Sequence, residues 1–236
     1  MNRIFILFLT LTTLSYANEG NKLIFTSLMF GGGNKNYHND NFIEMKLSGN
    51  IFHNYYGFSI DFGLMYNTEE GEGLCYWHEP QKYHVIYKTF YTCPKIYLFW
   101  KYFALDLGIA ILDQERGWCE NILYYRGIFV GHIKVGILDK FYISAGKPEN
   151  YIIAINSDLL SFGIGFKSLK PLSEIYVGTI GYDKYWGYEY KIDFALTTKI
   201  TLKIEGSFHR ILQARKLEQH EEVYNIRVGL SYILIQ

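Results

Sequence analysis

The stretch Tyr56-Gly57-Phe58-Ser59-Ile60-Asp61-Phe62-Gly63-Leu64-Met65-Tyr66 changes character at every step. Tyr56, Phe58, Ile60, Phe62, Leu64 and Tyr66 make one row, and Gly57, Ser59, Asp61 and Gly63 make the other. A period of two places the rows on opposite faces of one β-strand. Two further stretches repeat the pattern. Phe103, Leu105, Leu107, Ile109 and Ile111 alternate with Ala104, Asp106, Gly108 and Ala110. Tyr188, Tyr190, Ile192, Phe194 and Leu196 alternate with Glu189, Lys191, Asp193 and Ala195. In each, one face is apolar and the other is small or charged. Working outward, the same reading predicts twelve strands, at 22–32, 42–52, 55–67, 83–99, 102–112, 122–137, 141–147, 151–166, 175–183, 188–197, 200–211 and 223–235. The stretches 122–137, 141–147 and 175–183 alternate least cleanly, so ten or fourteen strands are also compatible.

The start of the chain says where these strands are used. Met1-Asn2-Arg3 is a short basic opening, residues 4–14 are apolar apart from threonines, and Ser15-Tyr16-Ala17 is a small-x-small site. This predicts a secretory signal peptide over 1–17, leaving 18–236 as one domain. Later apolar runs, such as 97–100, fall far short of the roughly 20 residues that a spanning helix needs. An exported chain whose strands each carry an apolar face predicts an antiparallel, up-and-down transmembrane barrel. An even strand number puts both termini on the periplasmic side. The connections then fall into a mostly short set (53–54, 100–101, 139–140, 197–199 and the longer 168–173) and a long set (33–41, 67–82, 113–121 and 212–222).

A soluble exported β-sandwich or lipocalin-like barrel would show the same alternation turned outside-in. The aromatic content, with 22 Tyr, 17 Phe and 4 Trp, favours the membrane version, because Tyr and Trp suit the water–lipid boundary. Tyr37, Tyr66, Tyr76, Trp77, Tyr182, Tyr185, Trp186 and Tyr188 are expected at the external boundary, and Phe52, Tyr55, Trp100 and Tyr102 at the periplasmic one. A sugar-stacking role for Tyr185 and Trp186 is the alternative to that belt. Lys plus Arg and Asp plus Glu number 23 each. That balance gives no basis for nucleic acid as a partner.

Two hairpins have registers suggested by charge. A two-residue turn at His53-Asn54 sets Lys46 opposite Asp61 and Ser48 opposite Ser59. A turn at 197–199 sets Asp193 opposite Lys203, Lys191 opposite Glu205, and Tyr190 over Gly206. Opposite charges across a ladder stabilise it modestly, and aromatics shelter facing glycines. The topology brings Cys75 and Cys119 into neighbouring external loops, where a disulfide is expected.

The final strand contains Arg227-Val228-Gly229-Leu230-Ser231-Tyr232-Ile233-Leu234. It resembles the assembly signal of bacterial outer-membrane β-barrels, here carried by Arg227, Gly229, Tyr232 and Leu234. That family usually ends on Phe, whereas this chain ends on Gln236. The resemblance implies a Gram-negative outer-membrane location, contact with lipid, and recognition by the barrel-assembly machinery. In length and strand count the chain resembles small porins.

The inward row predicts a narrow, charge-lined lumen. Its expected selectivity residues are Lys46, Asp61, Lys88, Asp106, Arg126, Lys191, Asp193, Lys203, Glu205 and Arg227, with Glu44, Lys134, Glu189, His84 and His132 beside them. The leading expectation is a channel for a small hydrophilic solute, driven by a transverse field between basic and acidic walls. The alternative is a non-conducting barrel closed by its own ion pairs, since charges removed from water must be paired. A lipid hydrolase is a third reading. Ser207 and His209 sit two apart on one strand, a spacing that brings a nucleophile and a base into reach. Their order is the reverse of that in the outer-membrane hydrolases, and both point inward. Asp183, Glu218, His220, Glu221 and Glu222 resemble an acidic protease rim but read more simply as a solvated loop. His78-Glu79 lacks a second His at ligand spacing, and Gly31-Gly32-Gly33 has no following Lys-Ser or Lys-Thr. No enzyme, metal or cofactor is therefore expected from the sequence.

Overall fold

The computed structural model describes residues 23–35, 40–73, 81–118, 120–147, 160–167, 172–182, 185–212 and 220–235. Twelve strands run in order: β1 (Leu23–Lys35), β2 (Asp40–Phe52), β3 (Tyr56–Gly73), β4 (Gln81–Phe99), β5 (Phe103–Trp118), β6 (Glu120–Ile137), β7 (Phe141–Gly146), β8 (Leu160–Lys167), β9 (Leu172–Tyr182), β10 (Tyr185–Ala195), β11 (Ile200–Leu212) and β12 (His220–Ile235). Each pairs antiparallel with its chain neighbour, and β12 pairs back onto β1 to close the barrel. Closure leaves no open sheet edge, which is the condition for strands to cross a membrane. The expected segment 1–17 lies outside the described residues.

Both chain ends of the barrel, Leu23 and Ile235, lie at the end with tight connections. The turns there are closed by backbone bonds from His53 N to Tyr56 O (2.7 Å), Trp100 N to Phe103 O (2.7 Å), Lys140 N to Ile137 O (2.8 Å) and Leu196 N to Ile200 O (2.9 Å). Gly136 precedes the third of these with φ +148°. A side chain there would be strained and would collide with the Phe141 carbonyl. At the opposite end the expected loops 67–82 and 113–121 are largely taken up by strands, because β3 and β4 pair out to Gly73↔Gln81, and β5 and β6 to Trp118↔Glu120. Cys75 and Cys119 lie outside the described residues.

The β10–β11 hairpin has the register that its charges suggest, with Asp193 opposite Lys203, Lys191 opposite Glu205, and Tyr190 covering Gly206. The β2–β3 hairpin does not. Its turn falls one residue later, on 54–55 between His53 and Tyr56, so Ser48 rather than Lys46 stands opposite Asp61 and Lys46 stands opposite Gly63. The attraction survives the shift, because Lys46 reaches Asp61 diagonally at 3.4 Å.

The apolar row of every strand points out. Phe30, Ile43, Ile109, Phe129, Phe162 and Val177 are all exposed on the outer wall. Tyr55, Tyr56, Trp100 and Tyr102 are exposed at the turn end. Trp186, Tyr188, Phe208 and Tyr224 form an outward cluster toward the other end, with ring centroids 4.9–5.6 Å apart. Trp186 therefore belongs to the outer belt and not to a stacking track. An apolar wall between two aromatic girdles is the exterior of a transmembrane barrel. Ile109 lies near the middle of β5 on this wall, so Ile109→Arg is expected to cost about 2–4 kcal/mol in urea unfolding from lipid vesicles. An unchanged stability would place that wall away from lipid.

Candidate functional site in the barrel lumen

Since lipid surrounds the barrel, every charged strand residue near mid-height must point in and find a partner. The guanidinium of Arg227 on β12 is the centre of this arrangement. One end reaches Glu44 Oε1 on β2 at 3.3 Å, and the other reaches Glu205 Oε2 on β11 at 3.2 Å. Tyr91 on β4 donates its hydroxyl to the same Glu44 oxygen at 2.7 Å. The Arg227 and Glu44 side chains are 4 % and 1 % exposed, and Tyr91 is 1 % exposed. Side chains lining a water-filled pore would be accessible. Those of this belt are not.

Tyrosines finish the belt. Tyr91 lies flat over Gly63, Tyr142 over Gly165, and Tyr176 over Gly163 and Gly178, so a Cβ at any of these glycines would overlap a ring. Each hydroxyl then meets a carboxylate across the sheet. Tyr142 donates to Glu174 at 2.6 Å, and Tyr176 donates to Glu189 at 3.2 Å. Ser161 also donates to Glu189. Apolar side chains pack against the belt. Cys93, Ala110, Leu112, Ile128 and Val130 cluster beside Tyr91, and Phe42, Met65 and Val223 form a second group farther from the turn end.

On the turn side a cavity of about 380 Å³ opens instead. It is walled by lysines sharing carboxylates. Lys46 and Lys95 both approach Asp61 Oδ2, at 3.4 and 3.6 Å. Lys191 and Lys203 both approach Asp193 Oδ2, at 3.6 and 3.3 Å. Lys191 also bonds Glu174 at 3.0 Å, and Lys134 lies 3.8 Å from Asp106. The backbone N–H of His132 donates to Asp106 at 2.6 Å. Separate basic and acidic walls are thus not what is built, because the two signs interleave around the ring.

Among the expected lumen residues, Lys46, Asp61, Asp106, Lys191, Asp193, Lys203, Glu205 and Arg227 all face in. Lys88 does not. On β4 the inward row is Thr89, Tyr91, Cys93, Lys95 and Tyr97, which leaves Lys88 exposed on the outer wall beside Phe90. Both rows of β4 carry aromatics or apolar residues, so alternation gives no phase there. Reading back from Ile96 and Leu98 would have put Lys95 inside. Arg126 lies in β6 and His84 in β4, but their side chains lie outside the described residues. Phe52, expected in the outer girdle, turns inward and stacks on Phe25 with centroids 5.6 Å apart. Lys167 and Glu174 also line the cavity, one residue outside the strands 151–166 and 175–183 expected from the sequence. Ser207 faces in and is buried, while the side chain of His209 lies outside the described residues.

No protein-family model matches the sequence, and no curated protein matches it. Solved structures with a similar fold include the CymD monoaromatic hydrocarbon channel, at 7% identity over 95% of this chain and 91% of that one, with a TM-score of 0.47. The β domain of the Bordetella autotransporter BrkA matches at 8% identity over 90% and 99%, with a TM-score of 0.45. The Salmonella typhi outer-membrane phospholipase, solved as a dimer with bound calcium, matches at 9% identity over 87% and 90%, with a TM-score of 0.43. The twelve-stranded antiparallel closed barrel is given by the chain's own strand pairing. One expectation is corrected by these matches. Outer-membrane phospholipases are among them, so this architecture carries catalysts as well as channels, and the expectation of no enzyme does not stand.

The belt makes a direct prediction. Arg227→Ala leaves Glu44 and Glu205 buried without their guanidinium and is expected to cost about 3–5 kcal/mol in urea unfolding from vesicles. Arg227→Met combined with Glu44→Gln and Glu205→Gln removes all three charges and should cost much less. Equal losses in the two variants would mean that the ion pair is not what holds the belt.

Proposed function

We propose that this outer-membrane barrel is a gated small-solute channel, shut at rest by the Arg227–Glu44–Tyr91 belt and receiving its solute in the cavity on the turn side. The observation that supports this reading is the contrast along one lumen. The charged cavity is open at one end, and the belt beside it is almost inaccessible. In barrels of this build the turn side faces the periplasm, so the cavity is a periplasmic vestibule. Lys46, Asp61, Asp106, Lys191, Asp193 and Lys203 set the field that a solute meets there. The belt is built of ion pairs and hydroxyl bonds, which exchange partners more readily than an apolar core repacks. A lumen plugged for structure alone has no need of charge, because well-packed apolar residues fill such space at equal or lower cost. We further propose that the last strand, with Tyr232 and Leu234 exposed on the lipid-facing wall, is the segment that the assembly machinery reads. Arg227 of that segment serves the lumen instead.

The test is current through a planar bilayer. The wild-type barrel should be silent at low voltage, and Tyr91→Ala, which removes a belt side chain without stranding a charge, should produce discrete steps. Steady conduction by the wild type would mean an open pore. Silence of a folded Tyr91→Ala barrel at every voltage would mean a structural barrel.

A further inference from the structure

The vestibule has two kinds of wall, and their order points to a ligand class. Nearest the mouth, Phe25, Phe52, Tyr97 and Phe99 line one side. Phe52 stacks on Phe25 and packs edge-on against Tyr97 (5.0 Å) and Phe99 (5.6 Å). This cluster sits inside the barrel, so lipid contact does not account for it. One inward step deeper on β4 comes Lys95, and on β2 the inward row leads from Phe52 through Asn50 and Ser48 to Lys46. Lys46 and Lys95 converge on one oxygen of Asp61. Two ammonium groups thus converge on one carboxylate above an aromatic wall.

The whole vestibule leans the same way. Lys46, Lys95, Lys134, Lys167, Lys191 and Lys203 line it. The facing carboxylates are Asp61, Asp106, Glu174, Asp193 and Glu205, the last also bonded to Arg227. Among the described residues lining the cavity, six cations thus face five anions. Lys167 rests on the Tyr142 ring at 5.6 Å, with Lys134 on the same ring at 5.4 Å. A positive recess focuses anions, and a cavity of about 380 Å³ is within the range of small-ligand sites.

We infer that the vestibule is a binding site for a small aromatic carboxylate, its ring held by Phe52, Tyr97 and Phe99 and its carboxylate by Lys95 and Lys46. This deepens the proposed solute-receiving role and rests on it for function. The binding itself does not require the belt to open. It is tested by titrating the folded barrel in micelles at low salt with benzoate, acetate and benzylamine, using calorimetry. Benzoate should bind saturably. Acetate, lacking the ring, and benzylamine, of opposite charge, should bind at least about tenfold more weakly. Lys95→Gln leaves Asp61 paired with Lys46, so it should fold, as heat-modifiable gel mobility will check, and weaken benzoate by about tenfold or more. Phe99→Ala offers a second, uncharged change with the same expected direction. Lys101→Gln, on the exposed turn beside the mouth, should bind as the wild type does. Absence of saturable benzoate binding, equal binding of benzylamine, or full affinity in both Lys95→Gln and Phe99→Ala would overturn the site. If the bilayer instead shows a steadily open pore while benzoate still binds, the closed-belt reading falls and the site stands.

Discussion

The fork of Arg227 between Glu44 and Glu205 is the contact on which the rest of the barrel depends. It joins residues 183 positions apart in the chain. Glu44 is on β2 and Glu205 on β11, so the fork spans the seam where β1 and β12 close the barrel. The backbone ladder of β1 and β12 seals that seam from within the sheet, and the ion pairs brace it from inside the lumen. A guanidinium suits this place because its planar donors serve two carboxylates at once and it stays charged at any pH the membrane meets.

Glycine decides how tightly the interior can fill. Where Gly63, Gly163, Gly165 and Gly178 face in, Tyr91, Tyr142 and Tyr176 lie down on the sheet. Their hydroxyls then reach across to acids on other strands. A barrel of twelve strands lies between those small enough to fill with ordinary side chains and those wide enough to conduct. Flat tyrosines and paired charges fill part of this one's lumen while leaving room near the turns.

Much of the fold was legible in the residues. A period of two is robust where one face is lipid, as at 56–66 and 103–111, and it located all twelve strands. The Asp193–Lys203 register followed because its turn length was read correctly. The β2–β3 register was missed because the turn sits one residue later than expected, on 54–55, which shifts the ladder by two and leaves the facing of each side chain unchanged. That parity is why Lys46 and Asp61 were still placed inside. Lys88 was misplaced because inward tyrosines make both rows of β4 look greasy. The belt tyrosines were invisible for the same reason: 22 tyrosines on a membrane barrel read as girdle, and only the glycine beneath each marks the few that turn in. Local pattern reports a strand's faces, but not which distant groups share a lumen.

The central claim is that the belt separates the vestibule from the rest of the lumen. Sided thiol labelling tests it most directly. With the three native cysteines replaced by alanine, Asn50→Cys lies in the vestibule and Ser207→Cys lies one inward step beyond Glu205. A charged, membrane-impermeant thiol reagent is applied to the folded barrel in vesicles from the side of the chain termini. Modification at position 50, with position 207 untouched over the same time, is the expected result. Similar rates at both positions would show a continuous water path and contradict the account.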